Sequence, residues 1–281
     1  MLRFQVAKYI RISRISSRSV HDKAWKSFAS VDPWELSANN KHKVLNLVGG
    51  QWSETETKHP LPDPLTGEEF IHVSDVKENG IDCFVSSLNS CSKSGLHNPL
   101  KDPQRYLMYG DISAKAAAKM REPEVLEFFI KLIQRVAPKS YVQAKAEVLV
   151  TQKFIENFGG DQVRFLARSF AVPGDHPGQM SAGYRWPYGP VTIIAPFNFP
   201  LEIPMLQLLG ALYMGNKVLL KSESKVSVVM EQAIRLLHSC GLPLTDVDFI
   251  NCSGESCIIL LLCYMILLLR NIINIVNIII M

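Results

Sequence analysis

Asn198 is the residue of this chain best placed to do chemistry, because it sets a neutral side-chain amide donor where a strand gives way to a helix. It lies within Ile194-Ala195-Pro196-Phe197-Asn198-Phe199-Pro200, at the end of a short apolar run. A second polar group, Lys221-Ser222-Glu223, follows a second apolar run and combines a cation with a carboxylate. Both groups fall at the carboxyl ends of expected strands, where open parallel sheets bind their ligands. They are therefore expected to share one crevice.

The elements that must position them follow from the hydrophobic pattern. Residues 191–195 are apolar and rich in β-branched types, bounded by Gly189-Pro190 and Pro196, which predicts a parallel strand buried on both faces. Residues 201–214 are almost continuously apolar and predict a buried helix that stops at Gly215-Asn216. Residues 218–220 form the next strand. A helix over residues 225–239 carries Val226, Val229, Met230, Ala233, Ile234 and Leu237 on one side and ends at Cys240-Gly241. Residues 247–250 supply a third strand. Strand, helix, strand, helix, strand is one mononucleotide-binding half of a doubly wound sheet.

On these residues the chain resembles the NAD(P)-dependent aldehyde dehydrogenase superfamily, in which a Pro-(Trp/Phe)-Asn-(Phe/Tyr)-Pro turn is followed, one helix later, by a Lys-(Pro/Ser)-(Ala/Ser)-Glu-like strand end. Phe158-Gly159-Gly160-Asp161 and the stretch from Tyr184-Arg185-Trp186-Pro187-Tyr188-Gly189-Pro190 to Ile203-Pro204 resemble its mitochondrial delta-1-pyrroline-5-carboxylate dehydrogenase branch (L-glutamate gamma-semialdehyde dehydrogenases) of plant and protist type. The likeness covers about residues 41–254. It implies an α/β fold: a Rossmann-like parallel three-layer sheet half, with amino-terminal helices and a small β extension. It also implies that Asn198 donates to the oxyanion formed when a thiolate attacks an aldehyde. Ile194, Ala195, Pro196 and Phe197 would line the cofactor. Lys221 and Glu223 would hold the adenosine ribose as donor and acceptor, with Ser222 offering backbone, and an acidic ribose partner points to NAD. The implied reaction is NAD-dependent oxidation of an aldehyde to a carboxylic acid, with L-glutamate gamma-semialdehyde as substrate, in proline catabolism. No metal is implied.

In the resembled family the nucleophilic cysteine and the general base follow further along than Gly254, and this sequence shows neither motif. The chain alone is accordingly expected to be inactive. After Asn251-Cys252-Ser253-Gly254 the composition turns to isoleucine, leucine and asparagine up to Met281, as in a read-through or mis-spliced end. The uninterrupted apolar run of residues 258–269 is shorter than the ~20 residues of a spanning helix. Arg270, Asn271, Asn274 and Asn277 argue further against a membrane span. The segment predicts an aggregation-prone appendage whose deletion improves solubility. Two rival readings stand: a catalytically silent product that binds intact subunits, and an acyl-phosphate reductase of related architecture using NADPH.

At the other end, Arg3, Lys8, Arg11, Arg14 and Arg18 alternate with apolar residues, with no acid before Asp22 and serines from Ser13 to Ser19. That is the pattern of a mitochondrial presequence, which predicts a matrix location. Taking those five basic residues from the formal net charge of +4 leaves −1 for the rest. The body thus has no electrostatic basis for nucleic-acid binding. Cys83, Cys91, Cys240, Cys252, Cys257 and Cys263 form no Cys-x-x-Cys pair, and the seven histidines are scattered. Neither a disulfide framework nor a metal site is expected. Residues 210–217 only superficially match a phosphate-binding loop, since the glycines end a helix rather than open one. The sequon Asn251-Cys252-Ser253 is taken as coincidental.

The organisation predicted is a presequence at residues 1–20, a helical and β-extension part at 41–190, the first half of an NAD-binding domain at 191–254 and the hydrophobic tail at 255–281. Residues 44–52, with a Gly49-Gly50 hairpin, and 70–73 read as strands flanking the turn-rich residues 60–67. By the resemblance they belong to the β extension through which the full-length enzymes form homo-oligomers. Residues 111–119, 124–136 with Pro123 at the first position, and 141–158 read as helices, the last continuing helically over 162–169.

Overall fold

A computed structural model of the chain describes residues 23–256. The expected presequence, and all of the expected tail past Ser256, lie outside the described residues. In chain order the strands are β1 (His42–Val44), β2 (Asn46–Val48), β3 (Gln51–Ser53), β4 (Lys58–Pro62) and β5 (Glu69–Ser74), followed by helix α1 (Asp82–Asn89). Three longer helices come next: α2 (Gln104–Arg121), α3 (Pro123–Val136) and α4 (Tyr141–Asn157). Strands β6 (Ser169–Pro173) and β7 (Met180–Tyr184) precede the alternating segment β8 (Pro190–Ala195), α5 (Glu202–Tyr213), β9 (Lys217–Ser222), α6 (Ser227–Ser239) and β10 (Val247–Ile250).

The alternating segment forms the parallel sheet that its hydrophobic pattern predicts, in the order β10-β9-β8. That is the 3-2-1 half of a doubly wound sheet. Val218, Leu220, Val247 and Phe249 face the main core with α2 to α6, whereas Leu219 and Ile250 face a smaller cluster built on Phe84 and Leu88 of α1. Period-2 alternation therefore gives the sheet two covered faces, helices on each side. Every residue of β9 and β10 is buried. β8 departs from the expectation of burial on both faces: it is the sheet edge among the described residues, and Ile194 is 49% exposed. Val191 and Ile193 pack on the main core, while α1 covers only part of the other face. α6 differs in the opposite sense. Val228, Glu231, Gln232 and Leu236 are buried along with the predicted stripe, because the helix is wrapped by the amino-terminal segments as well as by the sheet.

The amino-terminal strands are arranged differently from the sequence-based picture. The stretch 44–52 is not one strand with a hairpin in a separate extension. β1 pairs parallel to β5 in a three-stranded sheet, while β2 and β3 add antiparallel to the free side of β10 and continue the nucleotide-type sheet. Gly49 and Gly50 do make the predicted turn, both at positive φ of 55° and 85°. β4 takes up the first three residues of the predicted turn region, and the turn itself follows over residues 63–68, closed by Gly67 N to Asp63 O and Asp63 N to Glu68 O, both at 2.8 Å. Its prolines, Pro60 and Pro62, are accommodated because β4 lies at the edge of its sheet.

Residues 162–169 do not extend the preceding helix. A 3-10 stretch covers Gly160–Ala167, and Ser169 opens the β6–β7 hairpin, whose ten strand residues are all exposed except Gly183. The helix predicted over 111–119 begins seven residues earlier. Gly110 sits in its middle because a Cβ there would lie 1.7 Å from the carbonyl oxygen of Gly160, so α2 and the 3-10 stretch can approach only through glycine. α3 starts at Pro123 as predicted, and α4 begins with a capping box between Ser140 and Gln143.

Candidate functional site

The register of the parallel strands brings the polar groups to one end of the sheet. Ile194 pairs with Lys221, Ala195 with Ser222, and Lys221 with Ile250 on the other side. The turn carrying Asn198, the Lys221-Ser222-Glu223 segment and residues 251–253 all leave the carboxyl end of neighbouring strands, where α/β sheets hold ligands.

Alternation decides which side chains face what. Leu219 packs with α1, so Lys221, two residues on, and its register partner Ile194 belong to that same face. α1 covers only part of it. At the carboxyl end Ile194 and Phe197 are 49% and 64% exposed, leaving an open apolar shelf beside the Lys221 stem. The Lys221 side chain is 10% exposed and its ammonium lies 3.8 Å from Oε2 of Glu223, a donor and an acceptor held together at the strand end. Ser222 belongs to the opposite face. It is fully buried and its Oγ has no hydrogen-bond partner, so only its backbone can meet a ligand at the strand end. Ala195 is buried and Pro196 exposed.

The structure brings Asn198 and Lys221 to adjacent strand ends on one end of the sheet, yet the enclosed space there divides. A cleft of 160 Å³ lies between Glu223, Ser224, Lys225 and Asn251 on one side and His59 and Asp75 on the other, and no residue of the Asn198 turn lines it. Asn198 is exposed on the open shelf instead. Asn251 is fully buried; its amide donates to Leu45 O at 3.2 Å and to Asn46 Oδ1 at 3.1 Å. A glycan could not reach that side chain in the folded chain.

Cys252, just past β10, is the described cysteine at this end, and its side chain is buried. Burial pushes the thiols of Cys83, Cys91 and Cys240 above their ordinary value, and Cys252 is 2% exposed. No group of three or more His, Cys, Asp or Glu side chains among the described residues could hold a metal, and no described helix is long and apolar enough to cross a membrane.

Two residues supporting the Asn198 turn escaped the sequence reading. Glu147 and Lys139 pair at 2.7 Å, Glu147 with a fully buried side chain. The signal was present: an acid sits between Ala144 and Val148 on the buried face of α4, where only a partnered charge is tolerable.

With this geometry in place, the comparisons with known proteins are specific. The family model described as "Aldehyde dehydrogenase family" matches residues 52–262. The chain is 64% identical over 229 residues to "Delta-1-pyrroline-5-carboxylate dehydrogenase 12A1, mitochondrial" of Arabidopsis thaliana, covering 82% of this chain and 41% of the relative. It is 60% identical over 256 residues to "Probable aldehyde dehydrogenase" of Linum usitatissimum, covering 91% of this chain and 46% of the relative. The chain thus spans less than half the length of these curated relatives. Among solved structures, a methylmalonate-semialdehyde dehydrogenase of Sinorhizobium meliloti 1021, described as complexed with NAD, superposes with a TM-score of 0.65 at 22% identity, over 78% of this chain and 43% of the other. The methylmalonate-semialdehyde dehydrogenase of Oceanimonas doudoroffii gives 0.63 at 21%, over 76% and 42%. At that identity the structural likeness speaks for the fold.

Proposed function

Because the chain belongs to the aldehyde dehydrogenase family, we propose that it carries the cofactor-side half of an NAD-linked enzyme that oxidises L-glutamate gamma-semialdehyde to glutamate in proline catabolism. The observation that carries this reading is the common level of the β8 and β9 ends, with an open apolar face beside a paired ammonium and carboxylate. Glu223 and Lys221 fit a vicinal diol: the carboxylate accepts from one hydroxyl and the ammonium donates to the other. Ile194, Pro196 and Phe197 form the shelf on which the cofactor lies, Ala195 is buried behind it and offers only backbone, and the Ser222 backbone borders the sugar. When bound, NAD supplies the hydride acceptor.

Asn198 is the oxyanion donor. Its neutral amide directs N–H groups at the aldehyde oxygen as negative charge develops there, and such a donor is worth about 3 to 4 kcal/mol in enzymes that use one. The role requires a thiolate and a base; among the described residues Cys252 is buried and the Glu147 carboxylate beside the turn is engaged by Lys139 and the Leu201 and Glu202 amides, which supports the reading that the chain alone does not turn aldehyde over. The mitochondrial name of the Arabidopsis relative and the basic, acid-poor start of this sequence support a mitochondrial matrix location, testable by import of a fluorescent fusion bearing residues 1–22.

Calorimetry tests the cofactor reading. NAD is expected to bind the chain weakly, and Glu223→Ala or Lys221→Ala to abolish the heat. Micromolar affinity unchanged by both substitutions would refute this site. One observation favours a second activity. The β6–β7 hairpin exposes Phe170, Val172, Met180 and Tyr184, so the chain can join intact subunits of a homo-oligomer through that ribbon. Co-purification with a full-length homologue, lost on Phe170→Glu, checks it.

A further inference from the structure

α5 begins without a capping side chain of its own. Its N-cap residue is Leu201, yet its first amides are satisfied: the N–H groups of Leu201 and Glu202 donate to Oε1 of Glu147 at 2.8 and 3.2 Å. Glu147 reaches them from α4, 54 residues earlier in the chain. Its other oxygen, Oε2, accepts from Nζ of Lys139 at 2.7 Å. The same ammonium lies 4.2 Å from the ring centroid of Phe199, the neighbour of Asn198. One cation thus grips the turn while the carboxylate bound to it grips the start of the helix that follows.

Each contact has a physical reason to hold. The first turn of a helix carries partial positive charge and free N–H groups, which a buried carboxylate satisfies. The ammonium offsets the burial of that carboxylate, and the ring face of Phe199 offers the ammonium further stabilisation. Asn198 needs such outside support. Its side chain makes no hydrogen bond to the described residues, so its direction is set by what holds residues 199 to 202. Occupation of these two amides has a second effect. A helix start after the first strand of a nucleotide-type sheet ordinarily attracts phosphate, and here Oε1 of Glu147 stands in that place.

We propose that Lys139 and Glu147 are positioning residues for Asn198: together they clamp the turn and the start of α5, and Glu147 closes that helix start to anions. The clamp rests on the reading of Asn198 as an oxyanion donor for its purpose, but not for its existence.

Amide-resolved NMR of the full chain, with inorganic phosphate as the probe, tests it. In the wild type, phosphate leaves the Leu201 and Glu202 amides unshifted. Glu147→Ala speeds hydrogen exchange at those two amides by about tenfold or more, and phosphate then shifts them. Glu147→Gln keeps a neutral oxygen acceptor, so exchange stays within about threefold of wild type and phosphate again has no effect. Lys139→Met moves the side-chain amide resonances of Asn198 toward those of free asparagine, and Lys139→Arg restores them. A role in packing alone would lower the melting temperature but leave the Asn198 signals and the phosphate response as in wild type. Should Glu147→Ala not fold, the Lys139 pair and Glu147→Gln decide the matter. Phosphate shifts in the wild type, or Asn198 signals unmoved in Lys139→Met, overturn the clamp. No aldehyde or nucleotide enters the measurement, so its failure is distinct from failure of NAD to bind at Lys221 and Glu223.

Discussion

Two glycines five residues apart at the end of α5 should respond to alanine with opposite signs. Gly215 ends the connection from the Asn198 turn to β9 at φ +91°, and a Cβ there would lie 2.0 Å from the carbonyl oxygen of His97 and 3.0 Å from its carbon. The carbonyl of Gly215 also accepts from Leu96 N at 2.7 Å, so relieving the clash by moving the chain breaks that bond. A left-handed conformation costs a non-glycine residue about 1–2 kcal/mol, overpacking adds about 1–3, and the lost hydrogen bond about 1. Gly215→Ala should therefore destabilise by about 3–6 kcal/mol, much of the stability of an ordinary domain. Gly210 lies in the same helix, and a Cβ there meets nothing within 4 Å. Gly210→Ala should stabilise by about 0.5–1 kcal/mol through helix propensity alone. Urea unfolding followed by far-ultraviolet circular dichroism separates the two by the displacement of their midpoints at constant slope. A Gly215→Ala midpoint within about 1 kcal/mol of wild type would refute the close approach of α5 to residue 97.

Acid should weaken the fold before its carboxylates protonate. Burial lowers His97 and His238 to about 4, so between pH 6.5 and 4 the unfolded chain binds more protons than the native one, and stability falls as pH falls through that window. Together these shifts are worth a few kcal/mol, on the order of 1.4 kcal/mol per pKa unit, and urea midpoints equal at pH 7.5 and 5.0 would contradict it. Glu231 is fully buried and receives His42 Nε2, Arg235 and Gln232 at 3.0, 3.0 and 3.2 Å, so Glu231→Ala strands the Arg235 guanidinium and leaves the His42 ring and the Gln232 amide without that acceptor. The cost should be about 3–5 kcal/mol, visible as a fall in Tm of about 10 °C. Replacing Asn251 by Ala should cost about 2–4 kcal/mol by removing its bonds to Leu45 O and Asn46 Oδ1, an effect equilibrium unfolding can measure.

The parallel half-sheet was legible because its strands are short apolar runs set off by glycine and proline; β9 and β10 are buried as the pattern demanded, and only β8, at the sheet edge among the described residues, is not. The Asn198 turn and the Lys221–Glu223 pair were legible for the same reason, since strand ends fix their level. What the pattern could not convey was who sits beside whom. Residues 44–52 are apolar enough for any sheet, and nothing local says that Val44 joins β5 while Leu47 joins β10. The β6–β7 ribbon carries no inward face, so the alternation that betrays a strand is absent. β4 was hidden by its prolines. Glu147 on α4 and Lys139 in the connection before it were passed over because such charges are ordinarily solvated, and only the arrival of α5 and the Asn198 turn above the pair buries it and adds the Leu201 and Glu202 amides.

The union of β2 with β10 also sets a schedule for synthesis. Asn46 and Asn251, whose side chains tie those strands together, are separated by 205 residues. At about 5–20 residues per second, a ribosome leaves the β2 edge waiting for roughly 10–40 s before its neighbour emerges. Throughout that interval Leu47 and Trp52 have no sheet to cover them, so the nascent chain should be a client of holding chaperones from its first strands until its last.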